Sequence, residues 1–133
     1  MDHATDAFIE VDASSLEEAF TLAARSVIET ILESNLVEEK QERQLTVKGK
    51  DLNYLLYNWL EELIILTITD GFAWKSIKLE IKKNSGYEIT ALLKGEDLDF
   101  KKHNYKVEIK SPTFHLMQIS QDGKVHMQYL LDL

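Results

Sequence analysis

The chain contains no cysteine, one proline and five glycines, and no apolar run approaches the ~18 residues of a membrane-spanning helix. Without cysteine there is no disulfide framework, no thiolate zinc site and no cysteine nucleophile, and a reducing compartment suits it. So little proline and glycine argues against a disordered or low-complexity chain. Neither G-x-G-x-x-G nor G-x-x-x-x-G-K-[ST] occurs, nor the G-x-S-x-G elbow. The four histidines, His3, His103, His115 and His126, show no HxH or HExxH spacing, so a zinc hydrolase is not indicated. Positive charge is also scarce. Fifteen Lys and Arg stand against 23 Asp and Glu, a net charge of −8. Such a surface repels phosphate backbones on average, although Lys101, Lys102, Lys106 and Lys110 could form a local stripe. Direct nucleic-acid binding is therefore expected to be weak or absent, and the expected partner is a protein or a metal ion. The opening Asp2-His3-Ala4-Thr5-Asp6 has the wrong chemistry for a signal peptide, so a cytoplasmic protein with no membrane association is expected.

The composition, 44% hydrophobic and 29% charged, is that of a globular protein. The length predicts one domain over residues 1–133, burying roughly 68% of its unfolded surface. Phe8 to Val11 reads as a short strand. Ser15 and Glu18 have capping-box spacing, and Leu16, Ala19, Phe20, Ala23, Ala24, Val27, Ile28 and Ile31 follow on one helical face. Ser34-Asn35 ends that helix. Leu45 and Val47 alternate with Thr46 and Lys48 in a second strand. Asp51 can cap a second helix with its stripe at Leu52, Leu55, Leu56, Trp59, Leu60, Leu63 and Ile64, while Leu66 and Ile68 suit either helix or strand.

After Asp70-Gly71 the period switches to two. Ile77, Leu79 and Ile81, then Ile89, Ala91 and Leu93, flank the turn signal Asn84-Ser85-Gly86. Lys94 to Asn104 reads as a polar connection, and Tyr105, Val107 and Ile109 as a strand. Phe114 to Ile119 and Val125 to Leu131 flank the hairpin signal Asp122-Gly123. The expected architecture is α+β, two long helices packed on a mainly antiparallel sheet.

Both ends carry acids beside strand-like residues. If the ends are neighbours, Asp6, Asp132 and the Leu133 carboxylate form an oxygen cluster, either repulsive or suited to a hard cation. The plainer alternative is two hydrated termini. His115 lies among apolar neighbours and reads more readily as a hydrogen-bonded core or rim residue than as a ligand. Trp59 falls on the apolar stripe and is expected in the core. Phe72 and Trp74, beside a turn, are candidates for an exposed interaction anchor or equally for capping the core.

Several stretches together resemble the archease family over nearly the whole chain. They are Asp2-His3-Ala4-Thr5-Asp6, Ser15-Leu16-Glu17-Glu18-Ala19-Phe20, Tyr57-Asn58-Trp59-Leu60-Glu61-Glu62-Leu63, Lys110-Ser111-Pro112-Thr113-Phe114-His115 and Leu131-Asp132-Leu133. The resemblance implies duplicated strand-helix-strand-strand units. It also implies an accessory protein, not an enzyme, that assists the GTP-dependent, Mn²⁺-using RtcB-type RNA ligase of tRNA splicing by promoting its guanylylation and multiple turnover. By motif position, it implies a divalent-metal site at Asp6, Asp132 and the Leu133 carboxylate, with Ca²⁺ foremost and Mg²⁺ or Mn²⁺ as alternatives. Asp2 and His3 would stand behind those ligands. Lys110 matches a family lysine associated with ligase activation, and His115 closes the same motif and is assigned with it. The chain departs from the family at Ala4-Thr5, where the usual order is Thr-Ala, and at Leu116, where the family has glycine. A metal-dependent hydrolase of RNA or nucleotides using Asp2, Asp6 and Asp132 is the main alternative, and a plain interaction module with a structural metal is a third.

Overall fold

Each helix begins where a side chain satisfies a free backbone donor. The Ser15 hydroxyl accepts from the Glu18 amide at 3.1 Å, and Glu18 reaches back to the Ser14 amide and hydroxyl. This opens α1, Leu16–Ile31. Asp51 accepts from the Tyr54 amide at 2.9 Å and opens α2, Leu52–Ile64. One π-helical turn, Ile65–Thr69, extends α2, so Leu66 and Ile68 are helical and not strand. These assignments come from a computed structural model, which describes residues 5–133.

The described residues form six strands that pack with the helices: β1 Asp6–Ala13, β2 Gln41–Gly49, β3 Phe72–Lys83, β4 Tyr87–Asp97, β5 Ser111–Asp122 and β6 Lys124–Asp132. They form two three-stranded antiparallel sheets where the sequence pattern suggested one. Sheet A has the order β1-β6-β5 and sheet B the order β2-β4-β3. The connectivity is the same in both: a strand, a helix, then a hairpin whose second strand pairs with the first strand. The unit β2-α2-β3-β4 is inserted whole between α1 and β5, inside the unit β1-α1-β5-β6.

The units interlock because each helix packs across both sheets. Helix α1 lies on β1 and β6 and also on β3, and α2 lies on β2 and also on β5. The two helical stripes and both inner sheet faces make one core. Trp59 is fully buried, and its indole N–H donates to the Phe20 carbonyl at 3.0 Å, joining the helices. Tyr129 on β6 lies 2.6 Å from the Ser26 hydroxyl on α1, and burial pushes its phenol above the ordinary value against the pull of that hydrogen bond.

Tertiary partners decide two points that the local pattern left open or misplaced. Phe72 and Trp74 are completely buried, not exposed anchors, because the start of β3 runs beneath α1. Tyr105–Ile109 belongs to no sheet. Its Lys106 amide donates to the Ile31 carbonyl at the end of α1, and Tyr105 stacks on Phe100 at 4.3 Å.

The expected basic stripe is also partly consumed. Lys106 Nζ donates to the Glu29 carbonyl, and Lys102 Nζ lies 2.9 Å from Glu96 and 3.0 Å from Glu38. Glu96 anchors a buried polar cluster that no sequence pattern announced. It accepts from the Glu38 amide at 2.8 Å, and its Oε2 lies 2.9 Å from Nε2 of the fully buried His103. The Asp99 amide donates to His103 Nδ1, so Nε2 carries the proton that bonds Glu96. Burial alone would raise the Glu96 carboxyl, but the Glu38 amide, His103 and Lys102 outweigh it and hold it down at about 2.

Because that carboxyl is depressed, its stabilising contribution is present above the ordinary value of 4.5 and is lost as pH falls through about 2. Glu96→Gln is expected to cost about 1–3 kcal/mol at neutral pH by leaving buried partners unsatisfied. In thermal melts the gap from wild type should close through that acid window; a pH-independent gap would refute the assignment.

Candidate functional site

The pairing of β1 with β6 sets Asp6 directly opposite Asp132, and β5 adds Ser111 to the same row. Cross-strand partners share a face, with Cα atoms about 4.5–5.5 Å apart. The rows below, on the outer face of sheet A, are Phe8, Leu130 and Thr113, then Glu10, Gln128 and Gln118, then Asp12, His126 and Ser120. His126 Nδ1 lies 2.7 Å from an Asp12 oxygen. Among the described residues no Lys, Arg or His side chain pairs in this way with Asp6 or Asp132. Like charges placed directly opposite are destabilising.

The chain ends reinforce the pairing. The Leu133 amide donates to the Thr5 carbonyl at 2.8 Å, and the Lys110 amide donates to the Asp132 carbonyl at 2.7 Å. Lys110 therefore stands beside Asp132 through its backbone, with its side chain exposed.

Beside the acids lies an open concavity of about 570 Å³. Asp6, Asp132 and Leu130 line one side, and Tyr57, Phe114 and His115 the other. Phe114 stacks on Tyr57 with ring centroids 4.3 Å apart and leans on Tyr54 at 5.0 Å, while Lys50 sits over the Tyr54 ring at 4.3 Å. Partial burial, with the charge of Glu61, raises the Tyr57 phenol above its ordinary value. Tyr54 and Tyr57 are three apart on α2, off its buried stripe. That spacing was the available signal for an aromatic wall, but only the fold supplies Phe114 from β5. A larger depression of about 640 Å³ over sheet B, lined by Gln44, Lys78 and Leu92 among others, holds no acid pair or histidine and is not the candidate.

His115 is exposed, and its amide donates to the Thr113 hydroxyl at 3.1 Å. It sits in a bulge where β5 loses register between Thr113 and Gln118. The bulge contains Leu116 at φ +62°, left-handed backbone that a leucine rarely adopts. The Leu116 carbonyl accepts from Gln128 Nε2 at 2.9 Å, which ties the bulge to the outer face of sheet A.

The predicted site residues thus fall into two groups. Asp6, Asp132 and His115 line one concavity, and Lys110 and Leu133 adjoin it through backbone bonds. Asp2 and His3 lie outside the described residues. Among the described residues no group of three or more His, Asp or Glu side chains gathers as metal ligands. The donors brought together here are the two opposed carboxylates of Asp6 and Asp132. They are all oxygen and all anionic, the chemistry a hard divalent cation takes.

Fold and site together define a small α+β protein of two interlocked strand-helix-hairpin units with an acid pair where the first and last strands meet. The sequence matches the Archease protein family (MTH1598/TM1083) over residues 1–133, and the chain belongs to that family. It is 38% identical to "Protein archease" of Pyrococcus abyssi, covering 99% of this chain and 95% of that one. It is 34% identical to the archease of Pyrobaculum calidifontis, over 99% and 92% of the two chains. The solution structure of Methanobacterium thermoautotrophicum protein 1598 superposes with a TM-score of 0.79 at 32% identity, covering 100% of this chain and 96% of that one. Among the described residues no helix is long and apolar enough to cross a membrane.

The strain at Leu116 is open to a direct test. Leu116→Gly should remove a left-handed cost of about 1–2 kcal/mol, partly offset by glycine's greater unfolded entropy. A net gain of about 0.5–1 kcal/mol is expected in denaturant melts. Leu116→Val should lose stability, because a β-branched residue suits that φ least. A glycine variant less stable than wild type would contradict the backbone assignment.

Proposed function

We propose that this protein is an accessory factor, not itself a catalyst, for a GTP-dependent RtcB-type RNA ligase of tRNA splicing in the cytoplasm. In this reading it promotes the ligase's guanylylation and repeated turnover. The observation that carries it is the register that opposes Asp6 and Asp132 at the rim of the concavity, beside the Lys110 and His115 stretch. Family membership supports it.

Asp6, Asp132 and the Leu133 carboxylate would hold a divalent cation, Ca²⁺, Mg²⁺ or Mn²⁺. When bound, such an ion would neutralise the two opposed acids and secure the β1–β6 end. The protein's own groups do the rest. The Leu133 and Lys110 amides fix the end of β6, Tyr57 and Phe114 wall the concavity, and Lys110 and His115 offer donors at its edge. Activation requires that this surface bind one ligase conformation better than another, here the one competent for guanylylation.

The test is GTP-dependent guanylylation of the cognate ligase under limiting Mn²⁺. Wild-type protein should stimulate it, and Asp6→Ala should not. Removal of Asp132 and Leu133 should also abolish stimulation while leaving a cooperative melt, since the buried residues of β6 from Val125 to Leu131 are kept and Leu133 packs only at the edge of the core. Full stimulation by both variants would reject the carboxylate site, and no stimulation by wild type would reject the ligase role.

A further inference from the structure

The two units match residue by residue on their outer faces. Each helix cap fixes the count back along the strand before it, and Asp6 stands as far before the Ser15 cap as Glu42 does before the Asp51 cap. The strand pairings agree with that count. Asp6 pairs with Asp132 where Glu42 pairs with Lys94, and Phe8 pairs with Leu130 where Gln44 pairs with Leu92. The central leucine recurs. The third strand closes the first row alike in both units, with Ser111 opposite Asp132 and Ser76 opposite Lys94. At the far end Asp12 meets His126 at 2.7 Å, and the counterpart Lys48 meets Glu88 at 4.0 Å. An acid faces a basic group in both cases, with the strands exchanged.

The first row differs in one respect. The second unit sets an acid against a lysine, with Lys94 Nζ 3.8 Å from a Glu42 oxygen, whereas the first unit sets acid against acid. Opposite charges across a strand pair are favourable and like charges are not. The row in which the first unit opposes two carboxylates is thus the row in which the second unit already seats a cation. In the second unit that cation belongs to the chain and is present at any ion concentration. In the first unit it must come from solution.

We propose that the Glu42–Lys94 row is the second unit's version of the Asp6–Asp132 row, a cation site filled permanently by the Lys94 ammonium, and that an acid in place of Lys94 opens it to a divalent ion. The inference rests on the ion reading above and adds to it a second site and the reason that site is closed. It also divides the work between the two ends of the fold. The open end of sheet B is held at all times, and that of sheet A when its ion is bound. Both rows are exposed to water, so each cation contributes modestly and is best detected as a response to added ion.

The probe is Mn²⁺, read by paramagnetic broadening of backbone NMR signals and by thermal melts. In wild type it should broaden signals around Asp132 and leave those around Leu92 sharp. Lys94→Asp should melt a few degrees below wild type in chelator. Mn²⁺ at about millimolar concentration should restore that variant and broaden signals around Leu92 as well. Lys94→Gln, which leaves one acid in the row, should take no ion there. In the reciprocal exchange, Asp132→Lys should melt above wild type in chelator and lose the Mn²⁺ response at sheet A. If Lys94→Asp takes no ion at sheet B, or Lys94→Gln takes it equally, the row is not a cation site and the proposal is overturned, while the ion at Asp6 and Asp132 stands. An Asp132→Lys protein no more stable than wild type in chelator overturns it too. If wild type takes no ion at sheet A, the ion reading fails and this inference fails with it.

Discussion

The pairing of β1 with β6 is the constraint on which the rest depends. It joins the first and last strands, completes sheet A and closes one unit around the other. It also sets the register that opposes Asp6 to Asp132. A slip of one residue would turn the whole of β1 over, sending Val11 and Ala13 to solvent and the acids into the core. Burial of those side chains therefore holds two like charges in opposition. The repulsion is small beside the apolar surface that enforces it, and it is concentrated at one point of the outer face.

The interlocking of the units explains how so exposed a face is tolerated. Each helix covers the inner faces of both sheets, so the core is complete without sheet A's outer surface. Hydrogen bonds tie the layers where packing alone would allow sliding: Trp59 to the Phe20 carbonyl, Tyr129 with Ser26, and the Arg25 guanidinium to the Lys75 carbonyl at 2.7 Å. The Glu96–His103 cluster does the same for the segment after β4. It satisfies its buried groups internally and is a support of the fold away from the concavity.

Sheet A's outer surface is left free to carry other constraints. There His126 meets Asp12 and Lys124 stands opposite Asp122, while Asp6 and Asp132 face each other. Leucine in left-handed backbone at the bulge, where glycine would be relaxed, adds local strain on the same side of the molecule. Two opposed acids, exposed apolar groups and backbone strain come together around sheet A.

The sequence by itself determined the helices and hairpins, because caps, turns and side-chain periodicity act over a few residues. Ser15, Asp51 and the Asp122-Gly123 turn each do what local chemistry predicts, and alternation along β6 correctly puts Leu130 and Asp132 on one face. The acids at the two ends were also legible as candidates, and the family resemblance named their place. Only the tertiary structure decided that the strands divide into two sheets, that Phe72 and Trp74 are buried, that Tyr105–Ile109 pairs with no strand, and that Glu96 and His103 meet. It alone placed Phe114 against Tyr57 and Phe8 against Leu130. Those contacts join residues far apart in the chain, and their formation depends on which surfaces are already covered, which no local pattern encodes.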